Sequence, residues 1–378
     1  MAETLTRRSL ARLLGAAAGA SLVETPRMRS LTAPAKASAA PTEPIRLSAN
    51  ENPYGPCAPA LEALGKSGSA ASRYPGAALS ETRETIARLH GVTPQQIVLG
   101  CGSSDVLRMA DAAFLANGRK LVAAEPTFEA VLMYAKVTRT EPVRVPLTAD
   151  HRHDLPAMAR ACDGSTGLVY VCNPNNPTGT IVGARDLEAF LETVPSSSIV
   201  LVDEAYHHFV EDPSYKSALD LAKGRNNVVV ARTFSKIYGM AGMRLGYGVG
   251  PAARIAEMER YASWDNANEA ALAMALASLG DASTVPEKRR LMNDTRQWLC
   301  AELDRDRRKY IPSHANFIMI DVGGDVTPVA EAFRSRGIQV GRKFASMPNW
   351  LRVSIGTREQ MAAFLAALRE LAPAKAAA

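Results

Sequence analysis

No stretch of the 378-residue chain reaches the roughly 20 consecutive apolar residues that a bilayer-spanning helix needs, which excludes a multi-span membrane protein. Cysteine is sparse and scattered: Cys57, Cys101, Cys162, Cys172 and Cys300 include no C-x-x-C pair and are odd in number. That spacing argues against a disulfide framework or a zinc site and for small buried thiols. The six histidines show no metal-ligand spacing either, so no metal is expected. Excess charge is confined to one end. Residues 1–40 hold six Lys/Arg against two Glu, a net +4 of the chain's +6, which leaves +2 on the remaining 338 residues. A body so near neutral has no electrostatic footprint for nucleic acid. Hydrophobic residues make up 47% and charged residues 22%, the balance of a soluble globular protein rather than a disordered or coiled-coil one.

The first forty residues read differently from the rest. Thr6-Arg7-Arg8-Ser9-Leu10 opens a basic region, Leu13 to Val23 carries no charge, and Ala37-Ser38-Ala39 has the small-residue form of a cleavage site. Paired arginines before a weakly apolar segment resemble a twin-arginine export signal. Residues 1–40 are therefore expected to be an export signal and linker, with a periplasmic or exported product and no stable membrane insertion. The alternative is an Ala-rich extension retained on a cytoplasmic protein, and the long gap from Val23 to Ala39 leaves it open.

Beyond the Pro/Ala/Ser-rich linker, apolar runs alternate with helical patterns. Ile97–Leu99, Lys120–Ala124, Leu168–Cys172, Ile199–Val202, Asn227–Ala231 and Leu245–Val249 are short, largely β-branched or aliphatic, and bounded by turn residues, as buried strands are. Amphipathic stretches such as Ser80–His90 and Ala184–Thr193 separate several of them. The pattern predicts an α/β fold with a mainly parallel sheet between helices. After Pro251 a helix-rich region leads to isolated strands at Asn316–Val322 and Trp350–Ile355 and a last helix, Arg358–Leu371. A large domain over 61–265 is expected, with a smaller α+β domain built from 41–60 and 266–378.

Four of the strand ends carry chemistry. Gly100-Cys-Gly102-Ser103-Ser104-Asp105 is a Gly-rich turn opening a helix, which offers free backbone N–H groups to an anion. Asn173-Pro-Asn-Asn176-Pro-Thr-Gly179 is a stiff polar loop. Asp203-Glu-Ala-Tyr206 places a carboxylate where open α/β sheets bind ligands. Thr233-Phe-Ser235-Lys236 sets a lysine between hydroxyls and the glycines at 239 and 242. Taken singly, each has an ordinary structural explanation: a helix cap for Asp203, a solvated loop for Lys236.

Together they resemble the fold-type-I pyridoxal-phosphate enzymes of aminotransferase class I/II, and within that group histidinol-phosphate aminotransferase. The likeness runs from about Leu47 to the C-terminus and includes Ser48-Ala-Asn-Glu-Asn-Pro-Tyr-Gly-Pro56, Arg73-Tyr74-Pro75, Gly242-Met-Arg244, and Leu351-Arg352 with Gly356-Thr357. It implies pyridoxal 5′-phosphate as cofactor and amino transfer between an L-amino acid or amine and a 2-oxo acid such as 2-oxoglutarate. By the same resemblance, Lys236 condenses with the cofactor aldehyde and later carries the proton, and Asp203 faces the pyridine nitrogen. Tyr206 and Asn176 bond the ring's phenolic oxygen, and Phe128 stacks on the ring. Ser103, Ser104, Thr233, Ser235 and Arg244 hold the phosphate. Tyr74 matches the residue a neighbouring subunit donates, which implies a homodimer with shared sites. Arg352 matches the substrate arginine that grips the α-carboxylate or its counterpart, and Tyr54 follows the turn at the pocket mouth.

The chain departs from this pattern at the distal end of the substrate. Where these enzymes commonly place an arginine for the substrate phosphate, the run Gly337-Ile-Gln-Val-Gly341-Arg342 has Gly341, and Arg342 follows one residue later. Phe128 stands where a Tyr is usual, and no N-terminal Pro-Tyr arm is evident. Histidinol phosphate or aromatic amino acids are the expected donors. A decarboxylase of the threonine-phosphate type shares the scaffold and is the alternative activity. A non-catalytic cofactor-binding module fits less well, because Lys236, Asp203 and Arg352 are all retained. Trp264 and Asn266 lie near the domain junction, and His207-His208 near the cofactor pocket.

Overall fold

The six apolar runs form the spine of the molecule. In the computed structural model, which describes residues 43–372, they appear as β2 (Ile97–Gly100), β3 (Lys120–Glu125), β5 (Thr166–Cys172), β6 (Ile199–Asp203), β7 (Val228–Thr233) and β8 (Gly246–Val249). The expected export signal at 1–40 lies outside the described residues. A further strand, β4 (Val143–Pro146), completes a seven-stranded sheet in the order β2-β8-β7-β6-β5-β3-β4. β8 runs antiparallel to both its neighbours, and the other pairings are parallel. The fold is α/β, with a mainly parallel mixed sheet.

Strands buried on both faces need continuous apolar sequence. Accordingly Val200, Leu201 and Val202 of β6 and Val228, Val229 and Val230 of β7 are fully buried. Each contributes about 1.5–3 kcal/mol of transfer free energy. Side chains alternate along β6, so Leu201 packs in one core with Tyr170 and Val229, and Val200 and Val202 pack in another with Val171 and Val230.

Two smaller sheets accompany the large one. β1 (Ile45–Leu47) pairs in parallel with β11 (Ile338–Val340), and β10 (Phe317–Asp321) lies between β9 (Tyr310–Ile311) and β12 (Trp350–Ser354). Of these, β10 and β12 were expected. β1, β4, β9 and β11 are two to four residues long and too short for a periodic signal. The helix Ala184–Thr193 and the last helix Arg358–Leu371 have the expected bounds. Thr357 starts the latter with a capping box on Gln360.

After the Gly-rich turn, the sequence pattern places the helical stretch at Val106–Leu115, and this needs correction. The helix begins at Ser103 and runs to Phe114. Gly102, at φ +81°, turns the chain directly out of β2 into it.

Candidate active site

Because the ends of β2, β3, β5, β6 and β7 and the start of β8 share one edge of the sheet, the loops that follow them converge. They line a cavity of about 410 Å³ with Ser103, Ser104, Phe128, Asn176, Asp203, Tyr206, Thr233, Ser235, Lys236, Arg244, Arg342 and Arg352. Twelve of the fourteen residues singled out from the sequence therefore meet in one place.

At one end of the cavity is a cup. The first turn of the helix Ser103–Phe114 has no side-chain cap, and while the Asp105 N–H donates to Gly102 O, the Ser103 and Ser104 N–H groups are free for an anion. Arg244, itself at φ +59°, reaches over the cup with Nη1 donating to Ala241 O (2.9 Å) and to Ser235 Oγ (3.5 Å). A Cβ at Gly102 would overlap the Arg244 guanidinium, and one at Gly246 would run into the Ser103 amide. Both glycines are required for the closeness of arginine, strand and helix N-terminus. The Thr233 hydroxyl accepts from Ser235 N–H at 3.1 Å and fixes the turn into Lys236.

Midway lies Lys236. Its Nζ donates to Asn50 O (3.0 Å) and Ala49 O (3.4 Å). Burial pulls its pKa down to about 8, Arg352 and Arg244 add to the fall, and Glu51 and Asp203 oppose it. Asp203 is 2% exposed, and burial raises its pKa to about 6 against the bonds donated by Tyr170 and Ala205. Tyr206 Oη accepts from Asn50 Nδ2 (3.2 Å) and Asn176 Nδ2 (3.3 Å). Burial pushes its phenol well up, so it stays protonated.

Arg352, from β12, closes the far side. Nη1 donates to Asn176 Oδ1 (2.7 Å) and Nη2 to Ser48 O (2.9 Å). Its guanidinium lies 5.3 Å from the Phe344 ring centroid and 5.7 Å from that of Phe317. Next to it, Gly341 N–H donates to Arg352 O at 2.8 Å, and a Cβ at 341 would sit 2.6 Å from that oxygen. Glycine at this position is thus dictated by the backbone carrying Arg352. Arg342 lines the cavity mouth, is half exposed, and pairs with Glu129.

Tyr54 and Tyr74 do not line the cavity of this chain. Asn52 is the reason for Tyr54: its amide donates to Lys236 O and Ile237 O while its oxygen accepts the Tyr54 N–H. The turn is tied behind the lysine, and the Tyr54 ring packs on the core. Tyr74 is 88% exposed. Trp264 also lies outside, at 97% exposed, and Asn266 Nδ2 donates to Leu99 O (2.9 Å). The sequence reasoning missed Asn50, Glu129, Met133 and Phe344 as lining residues. Asn50 had a usable signal. It is an Asn in a turn, at φ +54°, held by Ser354 Oγ on its N–H and by Asn316 Nδ2 on its carbonyl.

The sequence profile of the family described as "Aminotransferase class I and II" matches residues 42–368. The chain is 39% identical over 330 residues to the histidinol-phosphate aminotransferase of Moorella thermoacetica, covering 86% of this chain and 85% of that one. It is likewise 39% identical over 327 residues to that of Symbiobacterium thermophilum, covering 86% and 90%. Among solved structures, histidinol-phosphate aminotransferase from Sinorhizobium meliloti in complex with pyridoxal-5′-phosphate aligns with a TM-score of 0.81 at 26% identity, covering 87% of this chain and 90% of that one.

Proposed function

This chain belongs to the class I and II aminotransferases, and from that premise we propose that it binds pyridoxal 5′-phosphate at Lys236. In this proposal it moves an amino group from histidinol phosphate or an aromatic amino acid to a 2-oxo acid such as 2-oxoglutarate. The observation that carries the proposal is the convergence, in one cavity, of an amine near its titration point, a buried carboxylate and an anion cup.

The cup fits a phosphate, because the two glycines leave room for a guanidinium and bare helix N–H groups to face the same point. Ser103, Ser104, Thr233, Ser235 and Arg244 are its ligands, and Tyr206 and Asn176 face the ring oxygen. When bound, pyridoxal phosphate supplies an aldehyde that condenses with amines and a protonated ring that accepts the electron pair left when Cα loses its proton. Lys236 is the residue of this chain that takes that proton and returns it. A pKa of about 8 leaves a sizeable fraction of free base near neutral pH, as a general base requires. Asp203, with a pKa of about 6, is mostly anionic there. Arg352 offers a planar fork to the α-carboxylate of an amino acid, or to the phosphate that histidinol phosphate carries instead, at the cost of its bonds to Asn176 and Ser48. Phe344, Phe128 and Met133 give the rest of the cavity an apolar wall suited to a flat side chain.

We also propose a homodimer, supported by the exposed Tyr74 and Trp264, and export through the basic leader, supported by Arg7-Arg8 and Ala37-Ser38-Ala39. Cell fractionation tests the export. Full-length protein found entirely in the cytosol rejects it.

The activity is tested by a half-reaction. Yellow holoenzyme mixed with each of a panel of donors, histidinol phosphate included, is expected to lose its colour and yield free 2-oxo product and pyridoxamine phosphate. Release of carbon dioxide without pyridoxamine phosphate contradicts the proposal.

A further inference from the structure

Asp203 is held by a residue outside the cavity lining. β5 and β6 run parallel, with Cys172 opposite Asp203 and Tyr170 opposite Leu201. Tyr170 therefore shares a face with Cys172 and is the diagonal neighbour of Asp203, within reach of a long side chain. Its ring is fully buried, and its Oη lies 2.8 Å from Asp203 Oδ2. The other oxygen, Oδ1, accepts the Ala205 N–H at 3.1 Å. Burial keeps the Tyr170 phenol protonated, so against an ionised Asp203 it is the donor in this pair.

The donation matters because burial works against the carboxylate. Around Asp203 stand Tyr170 and Cys172 from β5, Glu204 on its own strand end, Tyr206, and Lys236 after β7. Glu204 opposes its ionisation, and Lys236 gives the smallest of the named effects in its favour. The Tyr170 bond is the largest influence that favours the anion. An un-ionised acid here would itself be a donor and would meet a ring nitrogen without leaving the proton on it.

We propose that Tyr170 is a positioning residue: its phenol O–H locks Asp203 in one orientation as an anionic acceptor, and so sets where the proton sits between Asp203 and a pyridine nitrogen. This inference rests on the cofactor reading above. It concerns a residue outside the cavity lining, and its role is read from the ratio of two aldehyde affinities rather than from loading alone.

The test uses the full chain stripped of cofactor and titrated with two aldehydes, pyridoxal phosphate and its carbocyclic analogue lacking the ring nitrogen. Tyr170→Phe is expected to weaken pyridoxal phosphate binding about tenfold, the scale of one hydrogen bond to a charged group, and the analogue by less than about twofold. The same substitution placed in Asp203→Asn is expected to leave the ratio of the two affinities unchanged, because coupled residues are non-additive. Site-specific 3-fluorotyrosine at 170 keeps the shape and makes a stronger donor. It is expected to shift the ratio the opposite way, and it stands as the test should the Phe variant not fold. Equal weakening of both aldehydes, or an unchanged ratio with fluorotyrosine, overturns the proposal. Failure of the cofactor reading shows up separately, as wild-type chain that binds neither aldehyde or binds them equally well after Lys236→Ala.

Discussion

Burial and two neighbouring guanidiniums make Lys236 a weaker base than a surface lysine, with a pKa near 8. Only the neutral amine attacks an aldehyde, and a lowered pKa means the neutral form gains as pH rises through 8. Capture of pyridoxal phosphate by the stripped enzyme is therefore expected to speed up between about pH 7 and pH 9 and then level off, which stopped-flow absorbance can follow. Arg352 makes a different prediction. Arg352→Ala is expected to lower kcat/KM for amino acids by about 10–100-fold, the loss of a charge-assisted pair, while cofactor affinity stays unchanged. Steady-state kinetics beside a cofactor titration separates the two. The residues legible in the sequence were those whose chemical type is demanded at a strand end, such as Lys236, Asp203 and the Gly102-Ser103-Ser104 turn. Those that were not, such as Met133, Phe344 and Glu129, are ordinary residue types that become lining only through their place in the fold. Tyr170 belongs with them: in the sequence it is one more apolar position in a buried strand.

Elements bring these residues together because parallel strands end at a common edge. β8 is antiparallel, and its start at Gly246 therefore adds Arg244 to the same edge. One close approach is where β2 turns into the helix Ser103–Phe114 and β8 passes behind it. Gly102→Ala forces a methyl into the Arg244 guanidinium and a side chain into extended backbone at positive φ, which costs about 1–3 kcal/mol. Phosphate-end binding should suffer first. Affinity for pyridoxal phosphate is expected to fall at least about tenfold, while affinity for pyridoxal, which has no phosphate, changes little. Equal losses for both would place the glycine's role elsewhere. The long elements were readable because fully buried strands carry unbroken runs such as Ile199–Val202 and Val228–Val230. The short ones were not. β11 is three residues of mixed polarity, and pairing with β1, almost 300 residues away in sequence, defines it. Such a strand is specified by tertiary contact, which local pattern does not carry.

At the scale of the whole molecule, Tyr74 stands 88% exposed on a chain whose cavity already gathers every other phosphate-side residue expected from the sequence. If a second copy receives it, Lys236→Ala and Tyr74→Ala chains, each poorly active alone, are expected to recover activity on mixing and reassembly. Random pairing makes half the dimers hybrid, each with one intact site, so recovery should approach about a quarter of wild type. Activity that stays at the sum of the separate variants rejects a shared site. None of this stands without an amine at 236 that carries the cofactor. The direct measurement is to treat holoenzyme with borohydride, which makes an amine–aldehyde linkage permanent, and to map the modified peptide by mass spectrometry. The account predicts a phosphopyridoxyl group on Lys236, absent from the Lys236→Ala variant. An unmodified Lys236, or the same group on another lysine, contradicts it.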